Sequence, residues 1–177
     1  MIEEPIKIKA RISKTELPSA DTIINININF LIRAKQKKMD KNRKITVYKT
    51  QDLSHNQMKK RLLHLHSEDK YKITKINLNF PKQSNIYAQC AYYFRAFGKA
   101  QIFPDANHRT GYFALFQILR KKGLKIEADY DELRGMMEYI RGEEWIEQTE
   151  MNIYLKEKDE IYKFLFEWFK KYLVFRE

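Results

Sequence analysis

The sequence predicts a mainly α fold: a helical bundle built on two central helices joined by a polar loop, with a small β-hairpin and an N-terminal strand added. Three observations predict it. Residues 86–97 (I-Y-A-Q-C-A-Y-Y-F-R-A-F) and 112–119 (Y-F-A-L-F-Q-I-L) are apolar on almost every side, as helices surrounded by other helices are. Only 5 Gly and 4 Pro punctuate 177 residues, too few for a many-turned all-β chain. The stretch 159–174 carries Ile161, Phe164, Leu165, Trp168, Phe169 and Leu173 at three-to-four spacing, the period of one helical face.

Residues 1–20 contain Pro5 and Pro18 and read as irregular. Over 23–30 the run I-I-N-I-N-I-N-F alternates almost perfectly, which predicts a half-buried strand. A helix is the alternative, because Ile24, Ile28 and Leu31 share one helical face. Residues 33–44 are basic and polar, an exposed loop or the basic end of a helix. A short strand is expected at 45–48. Asp52 or Ser54 is placed to cap a helix running to His66. Residues 71–80 alternate loosely through Ile73, Ile76, Leu78 and Phe80, as one arm of a hairpin would, and 81–85 break the chain.

After the two apolar helices, Gly123 follows the basic end Arg120-Lys121-Lys122, where a helix-ending glycine belongs. Asp129 or Asp131 can cap the next helix, 132–140, which Gly142 ends. Residues 143–157 and 159–174 then form two helices, or one broken near Lys158. The aromatic stripe of the last is read as core packing.

The size suits one domain with a real core. Within it, 1–83 reads as a basic N-terminal elaboration and 84–177 as the helical core. The net charge of +11 falls entirely in 1–83, which holds 19 Lys/Arg against 8 Asp/Glu, while 84–177 holds 15 of each. A lysine-rich solvated face accounts for this, and a nucleic-acid or acidic-protein surface is the functional alternative. The single cysteine, Cys90, cannot form an intramolecular disulfide and reads as a small buried hydrophobe in a reducing, cytoplasmic compartment. The N-terminus lacks a signal-peptide pattern. No run of ~18 apolar residues predicts a membrane span. His55, His64 and His66 have no metal-ligand spacing, and no HExxH occurs.

The loop between the central helices, Q-I-F-P-D-A-N-H-R-T over 101–110, concentrates the chemistry. Thr110 is expected to open the second helix, whose N-terminus carries the positive end of the dipole. Asp105 is an anionic oxygen ligand suited to Mg2+. Ala106 is small and permits close backbone approach. Asn107 suits a tight loop and can bond back to it. His108 and Arg109 are donors, and Arg can clamp phosphate oxygens bidentately. Phe103 would anchor the loop in the core. Two readings fit: a site for a magnesium-bound polyphosphate, or a capped helix start with Asp105 and Arg109 as an ion pair.

This stretch resembles the signature of the Fic/Doc (Fido) superfamily. The Fic form is H-P-F-x-x-G-N-G-R, and the Doc (death-on-curing) form, H-x-F-x-D-A-N-K-R-T, is closer. The resemblance runs upstream through Y-F-R-A-F-G-K-A (93–100) and downstream through the apolar helix and basic end to Gly123. It covers roughly 86–140. It implies a Fido-type helical bundle, with the motif loop between two central helices and a hairpin flap that docks the target peptide; 71–80 is the candidate flap. It implies transfer of part of a nucleotide, ATP or another, to a protein hydroxyl. Fic-type members transfer AMP. Doc-type members are toxins paired with an antitoxin; they transfer the γ-phosphate to a translation factor. Carried over, Asp105 contributes to Mg2+ binding, while Ala106, Asn107, His108, Arg109 and Thr110 hold the loop and phosphates.

Two positions depart from the family. Its general-base His is Gln101 here, and Gln accepts no proton at neutral pH. His108 stands where Doc has Lys and Fic has Gly; protonated, it can replace the Lys contact, and it is the candidate substitute base. The family's inhibitory motif, [Ser/Thr]-x-x-x-Glu-[Gly/Asn], is absent from the sequence. The alternative to a weakened transferase is a pseudoenzyme that binds nucleotide or protein.

Overall fold

Helix α3 (Ile86–Ala100) occupies the centre, buried at twelve of its positions between Ile86 and Gly98. It is surrounded as its all-round apolar sequence requires. The computed structural model describes residues 8–39, 69–100, 102–103, 106–142 and 160–177. Around α3 stand α1 (Ala20–Met39), α2 (Asp69–Leu78), α4 (Asn107–Lys121), α5 (Tyr130–Gly142) and α6 (Glu160–Tyr172). Strands β1 (Leu124–Ile126) and β2 (Leu173–Phe175) form a two-stranded antiparallel sheet, with Leu124 opposite Phe175 and Ile126 opposite Leu173. The fold is mainly α with this small sheet. Helix α3 packs on α6, α4, α5 and α2, while α1 packs on α4 and α2.

Local signals explain the helix boundaries. Asn85 Oδ1 accepts from Ala88 N at 2.9 Å, capping α3. Asp129 caps α5 reciprocally with Glu132: Glu132 N donates to Asp129 Oδ1, and Asp129 N donates to Glu132 Oε2. Gly123 lies at φ 69, and its N–H bonds the Arg120 carbonyl, ending α4 as expected. Gly111 lets α4 approach α3. A Cβ there would lie 2.6 Å from Phe97 Cβ.

Three expectations are corrected. Residues 23–30 are helical, not a strand. The buried positions Ile23, Ile24, Asn27, Ile28 and Ile32 follow a helical period, and Asn25 Nδ2 donates to the Asp21 carbonyl one turn back, at 2.8 Å. Alternation would have put Asn25, Asn27 and Asn29 together in solvent; the helix instead buries Asn27 and leaves Asn29 outside. Residues 71–80 are not a flap arm, since α2 covers most of them. Ile73, Ile76 and Phe80 are buried, but Leu78, which a strand would align with Ile76 and Phe80, is exposed. Finally, the last helix stops at Tyr172, because residues 173–175 leave it to pair with β1. The basic stretch from Arg33 is the end of α1 as far as Met39. The strand expected at 45–48, the helix ending at His66, the three histidines His55, His64 and His66, and the helix at 143–157 lie outside the described residues.

The N-terminal segment is held by a polar clamp. Gln89, fully buried in α3, accepts from Ile12 N at 2.7 Å and donates to the carbonyls of Ile12 at 3.0 Å and Pro81 at 3.2 Å. One apolar cluster runs from Ile8 and Ile12 through α1, α2 and α3 to Leu173. Among the described residues no helix is long and apolar enough to cross a membrane.

Gly111→Ala is expected to destabilise the protein by about 1–3 kcal/mol in chemical denaturation, because the overpacked partner is the Phe97 stem rather than a mobile tip. The same change at Gly135, where an added Cβ meets nothing within 4 Å, should stabilise by roughly 0.5–1 kcal/mol.

Candidate functional site

The loop entering α4 is built by two neighbouring residues. Ala106 adopts the left-handed conformation (φ 64, ψ 20), the only described non-glycine residue with positive φ. That region costs an L-residue about 1–2 kcal/mol, least for a small side chain. Asn107 then locks the turn. Its Oδ1 accepts from Phe103 N at 2.8 Å, and its Nδ2 donates to Phe103 O at 2.6 Å. One buried amide thus satisfies both backbone groups of Phe103. Phe103 and Ile102 are buried, so the loop is anchored in the core as expected.

The helix starts at Asn107, three residues before the expected Thr110, since the Asn107 amide and Ala106 turn close the first turn themselves. Thr110 N donates to Ala106 O at 2.8 Å. Its hydroxyl, fully buried, accepts from Asn27 Nδ2 of α1 at 3.0 Å. Thr110 therefore lies in the α1–α4 interface. No acidic residue occupies the first turn of α4, so no carboxylate there offsets the positive end of its dipole.

His108 and Arg109 leave the helix in different directions. The His108 ring packs toward α3: a Cβ on Gly98 would lie 3.3 Å from its Cδ2 and Nε2, and 3.0 Å from Ile140 Cγ2 of α5. Gly98 makes room for the ring. Arg109 is exposed, with its guanidinium 5.8 Å from the Phe30 ring centroid. Phe30 in turn meets Phe113 edge-on at 5.8 Å. The structure thus brings Phe103, Ala106, Asn107, His108, Arg109 and Thr110 together at one helix start. Gln101, Pro104 and Asp105 lie outside the described residues.

Among the described residues no group of three or more His, Cys, Asp or Glu can hold a metal ion. Burial pushes the Cys90 thiol far up, which keeps it protonated and unreactive. Sequence reasoning missed Asn27, Phe30 and Gly98. The signal for Asn27 was present, because 23, 24, 27, 28, 31 and 32 form one helical face; alternation over the same residues hid it. No protein-family model matches this chain, nor does any curated protein or solved structure.

Two substitutions separate the roles within the loop. Asn107→Ala should cost about 2–4 kcal/mol, because it removes both hydrogen bonds from the Asn107 amide to the buried Phe103 backbone. Ala106→Gly should be neutral or stabilising by about 1 kcal/mol, the reverse of the usual Ala-to-Gly loss at a helix, because positive φ favours Gly. Urea unfolding of both variants checks the two signs.

Proposed function

We propose that this chain is a Fic/Doc-type protein, nearest the Doc type. It binds Mg2+ and ATP, or another nucleotide, at the loop over 103–109. Its phosphoryl or AMP transfer to a protein hydroxyl is reduced or lost because Gln101 replaces the family's base. The observation that carries the reading is the backbone at Ala106. The signature has Gly (Fic) or Ala (Doc) at this position, and here the position requires φ 64, which Gly favours and bulky residues resist.

Neighbouring positions support the same reading. The signature Asn coincides with Asn107, whose amide closes the loop on Phe103, and the signature Phe is the buried anchor. The start of α4 and the exposed Arg109 suit anionic oxygens. Asp105 would supply the oxygen ligand for Mg2+. Bound there, Mg2+ would neutralise charge on the phosphates. His108, whose ring lies beside Gly98, is turned toward α3, which weakens its case as a substitute base.

Gln101 favours a second reading, a pseudoenzyme that retains nucleotide or protein binding without transfer. By the Doc likeness, the partners are a protein target of the translation-factor class and an antitoxin, and the compartment is the cytoplasm.

The test uses ATP labelled at the α or the γ phosphate, with cell extract and Mg2+. Gln101→His is expected to raise transfer by roughly 10²–10⁴-fold, the usual contribution of a general base. Label from γ alone assigns a kinase, and label from α alone an AMP transferase. Arg109→Ala should abolish Mg·ATP binding in calorimetry. Absence of transfer from folded Gln101→His protein with every nucleotide tried would leave only the pseudoenzyme; failure of the native chain to bind any nucleotide would remove the transferase reading and the nucleotide-binding pseudoenzyme with it.

A further inference from the structure

We propose that the surface formed by residues 9–14, the outer side of α2 and Lys82 binds single-stranded nucleic acid. It is separate from the loop at α4, and the proposal does not depend on the function assigned to that loop. Contiguity comes from the buried clamp. Gln89 Nε2 donates to both Ile12 O and Pro81 O, and Lys14 Nζ donates to the Leu78 carbonyl at the end of α2. The segment around Ile12 therefore lies along the turn that follows α2, and Lys9, Arg11, Lys14 and Lys82, carried on these adjoining segments, are exposed.

Among the described residues, few anions offset these cations. Glu16 is held by Lys122 at 2.8 Å and Asp21 by Lys70 at 2.6 Å, while Asp69 is buried. No described carboxylate pairs with Lys9, Arg11, Lys72 or Lys82. Spaced cations with no pairing carboxylate among the described residues suit a phosphate backbone, which releases its own counterions on binding.

Tyr71 selects single strands over duplex. It is 55% exposed on α2 beside Lys72, and Lys75 Nζ stands 5.2 Å from its ring centroid. An exposed ring among cations is a stacking platform, and only unpaired bases present their faces to one.

The test is fluorescence anisotropy with labelled oligouridylate and oligothymidylate of about 15 nucleotides, titrated with salt. The native chain should bind with log affinity falling against log salt by about 0.7 per phosphate contact, roughly 3 in all. Replacing Lys72 and Lys82 with Gln should flatten that slope by about 1.4 and weaken binding about tenfold. Both sites are exposed, and an unchanged melting curve verifies the fold. Tyr71→Ala should weaken single-strand binding with the slope unchanged and leave duplex binding as it was. Equal affinity for the two oligomers assigns recognition to phosphate and base, and preference for RNA adds the 2′-hydroxyl. A slope near zero, or one the double variant leaves unchanged, overturns the proposal. So does polyglutamate competing as well, charge for charge, as the oligonucleotide, which would assign the surface to an acidic protein.

Discussion

Everything in this fold rests on the enclosure of α3. A helix whose sequence is apolar on all sides gains nothing from one neighbour; it must be covered around its circumference. That requirement recruits α2, α4, α5 and α6, and the closeness of one of them is set by Gly111. With no side chain at that position, α4 lies where its backbone nearly touches the Phe97 stem. The loop between α3 and α4 is consequently short and tightly constrained, and its left-handed turn at Ala106 is a cost the packing of both helices holds in place.

Burying most of α3 creates a polar obligation, which Gln89 meets. A buried amide is tolerated only if its donors and acceptor are satisfied. Gln89 finds partners in Ile12 and Pro81, and so fixes the N-terminal segment and the turn after α2 to the central helix. The exposed Arg11 and Lys82, next in sequence to Ile12 and Pro81, are brought near one another by this clamp. A second buried amide, Asn27, ties α1 to the first turn of α4 through Thr110. The candidate loop is thereby fixed from two sides: from within by Asn107 on Phe103, and from α1 by Asn27 on Thr110. A loop held this way is suited to presenting backbone groups at constant geometry, the property a phosphate site needs.

The sequence by itself determined the mainly α class, the two central helices, the glycine end at Gly123, a cap at Asp129 or Asp131 and the Phe103 anchor. Each of these follows from short-range chemistry: apolar periodicity, capping, or the burial of one large ring. It also identified Asn107 as the residue that bonds back to the loop. What only the tertiary structure decided was the state of 23–30 and 71–80. Alternation and helical period coexist in both stretches, and which one wins depends on what lies opposite. A strand over 23–30 would have needed a sheet partner; α4 and α2 offer packed helix faces instead, and Thr110 rewards burial of Asn27. The pairing of β1 with β2 was likewise invisible, because residues 124–126 and 173–175 meet only after α5 and α6 have returned the chain to the end of α4. The left-handed turn at Ala106 was not legible for the same reason: the packing of α3 against α4 sets the path of the chain into α4.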